Sequence, residues 1–318
     1  MESFINQNLL IMKTILSAII LSLFCNVLLA QSSELKYNLE KDKVYRVKAS
    51  SVVDQKMTMQ GQERNTETKS ISYFSLKMLD AKPEFFIAEV KFDTITTIIS
   101  MPPMTLTSAE PGDINSEDAV QVTNSILNRL CNSTLVVRMD YKGFVLDIMN
   151  HNVVEKTVLE GTDSLKGMAA MAKPQLVMMA DKDALKGMIE GVTAYLPATE
   201  VAQGDKWEST FSNNMGGVGM LITSNYKLKE LSKNKATLEG DVVMKPASTE
   251  PMMMNGAEIT NEISGLGKTN MEVDTETGWL ISGSSKVQMS GTMHVNAQGQ
   301  SMVIPVESMV ASETIAIE

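Results

Sequence analysis

The sequence has few of the residues on which metal and redox chemistry depend. Its 318 residues include only 2 cysteines and 2 histidines. Two cysteines exclude a disulfide scaffold or a zinc-finger array. Two histidines give little basis for a His-rich metal site or a histidine relay. We therefore predict no metal site and no cofactor.

Basic residues are also scarce, because 28 Lys and Arg face 38 Asp and Glu. The net charge of -10 and the pI of about 4.9 argue against a protein that binds nucleic acid or an anionic lipid surface, since phosphate attraction needs basic patches. Hydrophobic residues make up 43% of the chain and charged residues 21%, which is typical of a folded protein.

Recognisable catalytic motifs are missing as well. The sequence contains no Gly-x-Ser-x-Gly elbow, no His-Glu-x-x-His helix and no Walker-type phosphate loop. We expect His151 and His294 to be exposed or structural, and Cys131 to be a small buried apolar residue. The sequence therefore predicts a protein that is not an enzyme, with no catalytic residues.

The N-terminus has the pattern of an export signal. Lys13 precedes an apolar run from Ile15 to Phe24, and Ala30 stands before a polar stretch. We predict that residues 1–30 are a signal peptide and that translation starts at Met12. The apolar run is shorter than the roughly 20 residues of a spanning helix, and no later segment reaches that length, so we expect the mature chain to be soluble. The export signal predicts that it is periplasmic or extracellular. Because Phe24 precedes Cys25 where a lipoprotein has a small residue, we predict no lipid anchor.

The first β-rich part covers residues 31–150. Strand-like segments at 71–79 and 85–92 are rich in β-branched and aromatic residues and are separated by a turn at Pro83. Residues 116–118 resemble a helix cap before a helical pattern, and a strand pair at 135–140 and 144–148 ends this part.

Residues 199–318 repeat this order of segments. Gly204-Asp205-Lys206-Trp207 matches Asp42-Lys43-Val44, and Gly278 with the strand after it matches Gly143 with Phe144-Val145-Leu146. The spacing varies, so the pattern indicates a degenerate duplication instead of a solenoid. Chance similarity between amphipathic strands is the alternative.

Residues 151–198, between the two parts, have helical character. Asp163 is predicted to cap a helix that ends at Pro174. A second helix carries Leu185, Met188, Ile189 and Val192 on one apolar stripe, which must pack against another element. We predict an α+β, β-rich fold in which two related antiparallel sheet-plus-helix halves form a curved sheet or half-barrel, with these helices as a linker and lid over its concave face.

Several of these segments carry a resemblance to a known family. The run from Leu185 through Tyr195-Leu196-Pro197 to Trp207, and the turn from Asp140 to Leu146, resemble a family of uncharacterised exported β-rich proteins of Bacteroidetes-type bacteria, many of them lipoproteins. That resemblance implies no known activity and no site residues. The order of long strands and covering helices is also similar, at the level of fold, to periplasmic half-barrel carriers of lipids and lipoproteins.

Methionine is abundant, with 25 residues, while aromatic residues make up only 5%. Three interpretations are open: core filling, an apolar-ligand groove, and a thioether site for Cu(I). We predict an exported, non-enzymatic protein that binds an apolar or lipid-like ligand under the helical lid. The predicted ligand-binding residues are Met178, Met179, Leu185, Met188, Ile189 and Val192. The alternative is a structural or protein-interaction module of the cell envelope, with a protein partner and no small ligand.

Overall fold

The computed structural model describes residues 32–59, 61–215, 218–254, 257–297 and 300–318. The predicted signal peptide, residues 1–30, lies outside the described residues. The strands are β1 (Ser32–Glu34), β2 (Val44–Met59), β3 (Gln62–Ala81), β4 (Phe86–Ser100), β5 (Pro103–Thr107), β6 (Leu135–Met139), β7 (Val145–Ile148), β8 (Glu200–Ala202), β9 (Lys206–Met215), β10 (Val218–Leu231), β11 (Lys235–Pro246), β12 (Met252–Met254), β13 (Ala257–Asn261), β14 (Ser264–Asp274), β15 (Leu280–Ala297) and β16 (Gln300–Ile317).

Fourteen of these strands form one antiparallel sheet, and β1 pairs separately with β8. The main path runs β7-β6-β4-β3-β2-β16-β15-β14-β11-β10-β9, with β5 beside β4 and with β13 between β12 and β15. The strands of the two predicted halves meet where the last strand, β16, pairs with β2. The chain thus forms one continuous β-rich sheet with few helices, and the internal duplication stays a prediction.

Four helices lie between the two sets of strands in sequence: α1 (Ala119–Cys131), α2 (His151–Val158), α3 (Gly167–Met178) and α4 (Lys182–Thr193). Helix α1 packs on β4 and β5, and α2 and α3 pack on α1. Helix α4 packs against both β7 and β9. Since β7 and β9 are the two ends of the main sheet path, one helix can contact both only if the sheet curves around it.

The main core lies between these helices and one face of the sheet. Val47, Phe74 and Leu228 belong to this core together with Leu185 and Ile189 of α4. We call the sheet face that carries Val47, Phe74 and Leu228 the inner face, and it is the concave one. Burial of this apolar surface is the main source of stability for such a fold.

The segment after β1 joins two turns of the sheet. The backbone amide of Tyr37 donates to the Tyr141 carbonyl at 3.1 Å, and that of Asn38 donates to the Thr277 carbonyl at 2.9 Å. The Tyr37 hydroxyl also donates to the Thr193 carbonyl at the end of α4, at 3.0 Å. One short segment therefore ties the β6–β7 turn, the β14–β15 turn and α4 together.

Two local predictions for the helices are wrong. Pro174 lies inside α3, and Lys166 instead of Asp163 occupies the cap position. Asp163 lies in a short 3₁₀ turn and pairs with Lys173 at 2.8 Å. Pro174 sits on an exposed side of α3, where the ring does not meet the core. The cap before α1 is confirmed at Asp118, whose carboxylate accepts from the Val120 amide.

Candidate functional site

A partly open cavity of about 340 Å³ lies on the inner face, beside the C-terminal end of α4. Its floor consists of residues from β2, β16, β15, β14, β11, β10 and β9, and its wall is formed by Glu190, Gly191, Val192, Ala194 and Tyr195. A volume of this size is within the range of small-molecule sites. We call this cavity the inner cleft.

Six hydroxyl side chains cross the inner face in a single row. Direct cross-strand pairs connect them through six neighbouring strands, β4, β3, β2, β16, β15 and β14. Residues paired directly across strands project from the same face of a sheet. The members of this hydroxyl row, in order, are Thr97, Ser70, Ser51, Ser312, Ser285 and Thr269.

The last four members of the hydroxyl row line the inner cleft. At the β4 end of the row, the hydroxyl oxygens of Ser70 and Thr97 lie 3.1 Å apart. Thr269 donates to the Ser284 carbonyl at 3.2 Å. A row of donors and acceptors on a concave face can bind the polar part of a ligand through several hydrogen bonds at once.

The next row on the same face is apolar. Val53, Val310 and Val287 are paired across β2, β16 and β15, and all three line the inner cleft. Val242 and Met244 of β11 extend this surface. The inner cleft therefore has a hydroxyl-bearing strip beside an apolar strip, which suits an amphipathic molecule better than a uniformly polar one.

Small residues make room for the inner cleft. Gly283 lines it opposite Thr314, and a Cβ atom added there would meet Leu280 and Met271 at 3.6 Å, which is an ordinary contact. Ser51, Ser285 and Ser312 line it as well, and their side chains are also small. These small side chains leave volume open on the inner face.

Helix α4 is positioned by contacts at its N-terminal end and in its middle. The Asp181 carboxylate caps its first turn by accepting from the amides of Asp183 and Ala184. Gly187 brings the helix against β9, since a Cβ there would lie 2.3 Å from the Ser212 carbonyl oxygen. Lys182 pairs with Asp147 of β7 at 2.7 Å. The helix is thereby held between the two edge strands.

Glu190 is the ionisable residue at the junction of α4 and the inner cleft. It is only 3% exposed, and its carboxylate accepts from the backbone amide of Val145 on β7 at 2.9 Å. Burial raises the pKa of this carboxyl, against the opposing effects of the Val145 amide and the Lys186 ammonium. Lys186 lies 3.8 Å away.

Two tyrosines complete the wall and floor near Glu190. The Tyr195 hydroxyl donates to the Gly278 carbonyl at 2.9 Å, and the ring of Tyr226 stacks on Trp207. Burial raises the pKa of Tyr226 to about 12, and burial also raises the pKa of Tyr195. Both phenols are therefore neutral at physiological pH, and they can hydrogen-bond but cannot supply charge.

The six predicted ligand-binding residues are placed differently from one another. Val192 lines the inner cleft. Leu185 and Ile189 are fully buried in the main core, and Met179 and Met188 pack against it. Met178 is half-buried at the end of α3.

Sequence reasoning missed Glu190 and the hydroxyl row. The sequence did contain a signal for Glu190, because a carboxylate lies next to the apolar stripe of α4.

The methionines have several roles. Met220, Met244 and Met289 are buried in a second apolar cluster with Val242 and Val287, adjoining the inner cleft. By contrast, Met168 and Met171 of α3 are each 69% exposed. For Met252, Met253 and Met254, the structure describes the backbone only. Core filling and lining of an apolar surface thus both occur among the described methionines.

The remaining candidates for chemistry have structural environments. His151 is buried, with Nε2 2.9 Å from the Ala180 carbonyl. Cys131 is buried, and burial raises the pKa of its thiol. His294 is partly exposed, with Nε2 3.5 Å from a Glu262 oxygen. Among the described residues, no group of three or more His, Cys, Asp or Glu could hold a metal ion.

These features define a β-rich protein with one open, curved antiparallel sheet and a cleft between that sheet and a single helix. Residues 84–280, more than half of the chain, match the family of unknown function DUF6263. The chain belongs to this family. The description of this family assigns no activity to its members, so the absence of enzymatic activity stays a prediction from the sequence. No curated protein matches the sequence significantly.

Some solved structures are similar in part. A structure describing lipid–protein interactions in lipovitellin has 13% identity and a TM-score of 0.47, covering 88% of this chain and 25% of that one. An outer membrane channel from Pseudomonas putida F1 has 4% identity and a TM-score of 0.23, covering 88% and 97%. A DUF1329 family protein from Desulfovibrio piger ATCC 29098 has 9% identity and a TM-score of 0.13, covering 84% and 83%.

This chain therefore spans about a quarter of the lipovitellin chain that it matches. Since all three TM-scores are below 0.5, none of these similarities assigns a function to this chain. Within the described ranges, no helix combines the length and the apolar composition that crossing a membrane requires.

Proposed function

We propose that this is an exported, non-enzymatic protein that binds one apolar or amphipathic small molecule in the inner cleft. The observation that carries the proposal is the juxtaposition of the hydroxyl row with the valine row of Val53, Val310 and Val287 under the end of α4. Export rests on the signal-like N-terminus of the sequence, with the periplasm or the exterior as destination.

The valine row and the second apolar cluster would hold the apolar part of the ligand. Met220, Met244 and Met289 lie in that cluster. Methionine side chains are flexible and polarizable, so a surface that contains them adapts to apolar ligands of different shapes. Transfer of the apolar part of the ligand from water to this surface would supply most of the binding free energy.

The hydroxyl row would bind the polar part of the ligand. Ser51, Ser312 and Ser285 lie next to one another on adjacent strands of one sheet, so their relative positions are fixed by backbone hydrogen bonds. Such preorganised groups lose little entropy on binding and orient the ligand. The binding role proposed for Val192 fits this arrangement, because Val192 lines the same cleft.

Titration with N-phenyl-1-naphthylamine, a neutral apolar dye that fluoresces on leaving water, tests the proposal. The purified mature chain should enhance its fluorescence in a saturable manner. Ser51→Leu adds bulk inside the cleft and should weaken dye binding by about tenfold or more. Ser50→Leu is the matched control, because Ser50 is the neighbouring residue on the opposite face of β2 and should leave binding unchanged.

Two results would overturn the proposed function. The first is a wild-type protein that does not bind the dye. The second is equal binding by the two variants, provided that both have the thermal unfolding midpoint of the wild type. Either result would favour an envelope module that acts through a protein partner.

A further inference from the structure

The charges around the inner cleft restrict the polar group that a ligand can bring into it. Among the lining residues, all of which belong to the described part of the chain, Glu190 is the one carboxylate and no lysine or arginine is present. The other polar side chains of the lining are hydroxyls of Ser, Thr and Tyr and the amide of Asn213.

Lys186 is the cation that contacts Glu190, but it is poorly placed to bind a ligand. Its ammonium lies 3.8 Å from the Glu190 carboxylate, and its side chain is 44% exposed. It is not among the residues that line the inner cleft. An anionic head group beside Glu190 would therefore face a buried negative charge without a counter-ion inside the cleft.

An uncharged head group with hydroxyls has suitable partners at the same place. Ser51, Ser312 and Ser285 can each donate and accept a hydrogen bond, and Thr314 lies on the same strand as Ser312, two residues further along. Because serine and threonine hydroxyls rotate to suit their partner, they match other hydroxyls without fixed donor or acceptor roles.

We infer that the ligand of the inner cleft is an amphiphile with an uncharged, hydroxyl-bearing head group, and that Glu190 excludes anionic amphiphiles such as ionised fatty acids. This inference rests on the proposed function, since it specifies the ligand class of that same site. Electrostatic repulsion gives the specificity, whereas the apolar surface gives most of the affinity.

Displacement of N-phenyl-1-naphthylamine by three ten-carbon amphiphiles tests this inference at neutral pH. The compounds are 1-decanoylglycerol, decanoate and decylamine, which share a chain length and differ in head-group charge. The glycerol ester should displace the dye at a concentration about tenfold lower than decanoate. Decylamine should also displace it more strongly than decanoate, because its charge is opposite to that of Glu190.

Glu190→Gln is the matched variant, since an amide oxygen can still accept from the Val145 amide while the charge is removed. In this variant the preference for the glycerol ester over decanoate should shrink severalfold, and the advantage of decylamine should disappear. A preference that stays the same in Glu190→Gln would overturn the role of Glu190.

Other outcomes separate the two proposals. Displacement by decanoate at the same concentration as the glycerol ester, or lower, would overturn the inference while leaving the proposed function in place. So would a dye that binds but is displaced by none of the three compounds. Failure of the dye itself to bind would overturn the proposed function instead.

Discussion

Glu190 on α4 accepts a hydrogen bond from the backbone amide of Val145 on β7, at 2.9 Å. Val145 lies in one end strand of the sheet, and α4 also packs on β9, the other end strand. An unpaired edge amide that is buried costs free energy and, if exposed, is a site for unwanted strand pairing. Glu190 therefore satisfies an edge of the sheet with its carboxylate and is at the same time one of the residues that line the inner cleft.

Substitution of Glu190 tests this double role through stability. Glu190→Ala should lower the free energy of unfolding by about 1–3 kcal/mol, because it leaves the buried Val145 amide without an acceptor. Glu190→Gln keeps an acceptor and should be at least as stable as the wild type at neutral pH. Urea denaturation of both variants measures the difference. Equal destabilisation by Ala and Gln would show that the hydrogen bond does not matter.

The raised pKa of Glu190 predicts a specific dependence of stability on pH. A carboxyl with a higher pKa in the folded state holds its proton while the unfolded chain has already released it. Ionisation of Glu190 therefore lowers the free energy of unfolding as pH rises from the ordinary Glu pKa, about 4.3, through the raised pKa of the folded state.

Glu190→Gln should lack this contribution, so the stability difference between Gln and wild type should grow across that window and then become constant. Comparing the two proteins cancels the contributions of most other groups. Lys186 opposes the shift, whereas the charges of Asp140 and Asp183 add to it. A difference that does not vary with pH would contradict the raised pKa.

The contact of α4 with β9 predicts opposite effects for two glycines of the same helix. A Cβ at Gly187 would lie 2.3 Å from the Ser212 carbonyl oxygen, so Gly187→Ala should destabilise the protein by about 1–3 kcal/mol. A Cβ at Gly191 would meet Phe211 at 3.8 Å, so Gly191→Ala should stabilise it by about 0.5–1 kcal/mol through helix propensity. Thermal unfolding of the two variants measures both effects. Equal effects would contradict the close approach of α4 to β9 at Gly187.

Two aspartates stabilise the β6–β7 and β14–β15 turns of the sheet in a similar way. The Asp140 carboxylate accepts from the amides of Lys142 and Phe144, and that of Asp274 accepts from those of Glu276 and Thr277. Alanine at either aspartate should lower the free energy of unfolding by about 1–2 kcal/mol, whereas asparagine should retain most of the stability. Asparagine variants as unstable as the alanine variants would show that charge, not hydrogen bonding, stabilises these turns.

The local elements were largely predictable from the sequence. The apolar stripe of Leu185, Ile189 and Val192 predicted α4, and the residue types at 71–79 and 85–92 predicted the C-terminal half of β3 and the N-terminal half of β4. Both aspartate turns were predictable too, because Asp before Gly143 and before Gly278 has the composition of a turn. These signals act within a few residues, where periodicity and turn chemistry decide the structure.

The inner cleft could not be predicted in the same way. Ser51 and Ser312 are direct neighbours, yet 261 positions separate them in the chain. Their pairing depends on β16 joining β2, and no local pattern specifies which strands become neighbours. The apolar stripe of α4 also could not show which of its members face the core and which one, Val192, faces the cleft. Assignment of site residues needed the register of the whole sheet.

Native mass spectrometry of residues 31–318, exported from a Gram-negative host and purified without detergent, tests the central claim most directly. An organic extract of the same sample should be analysed for lipids, with Ser51→Leu and Ser50→Leu proteins treated identically. We predict an adduct of one small molecule, matched by an uncharged amphiphile in the extract, which is lost in Ser51→Leu and kept in Ser50→Leu. A bare polypeptide mass for the wild type, together with an empty extract, would contradict the account.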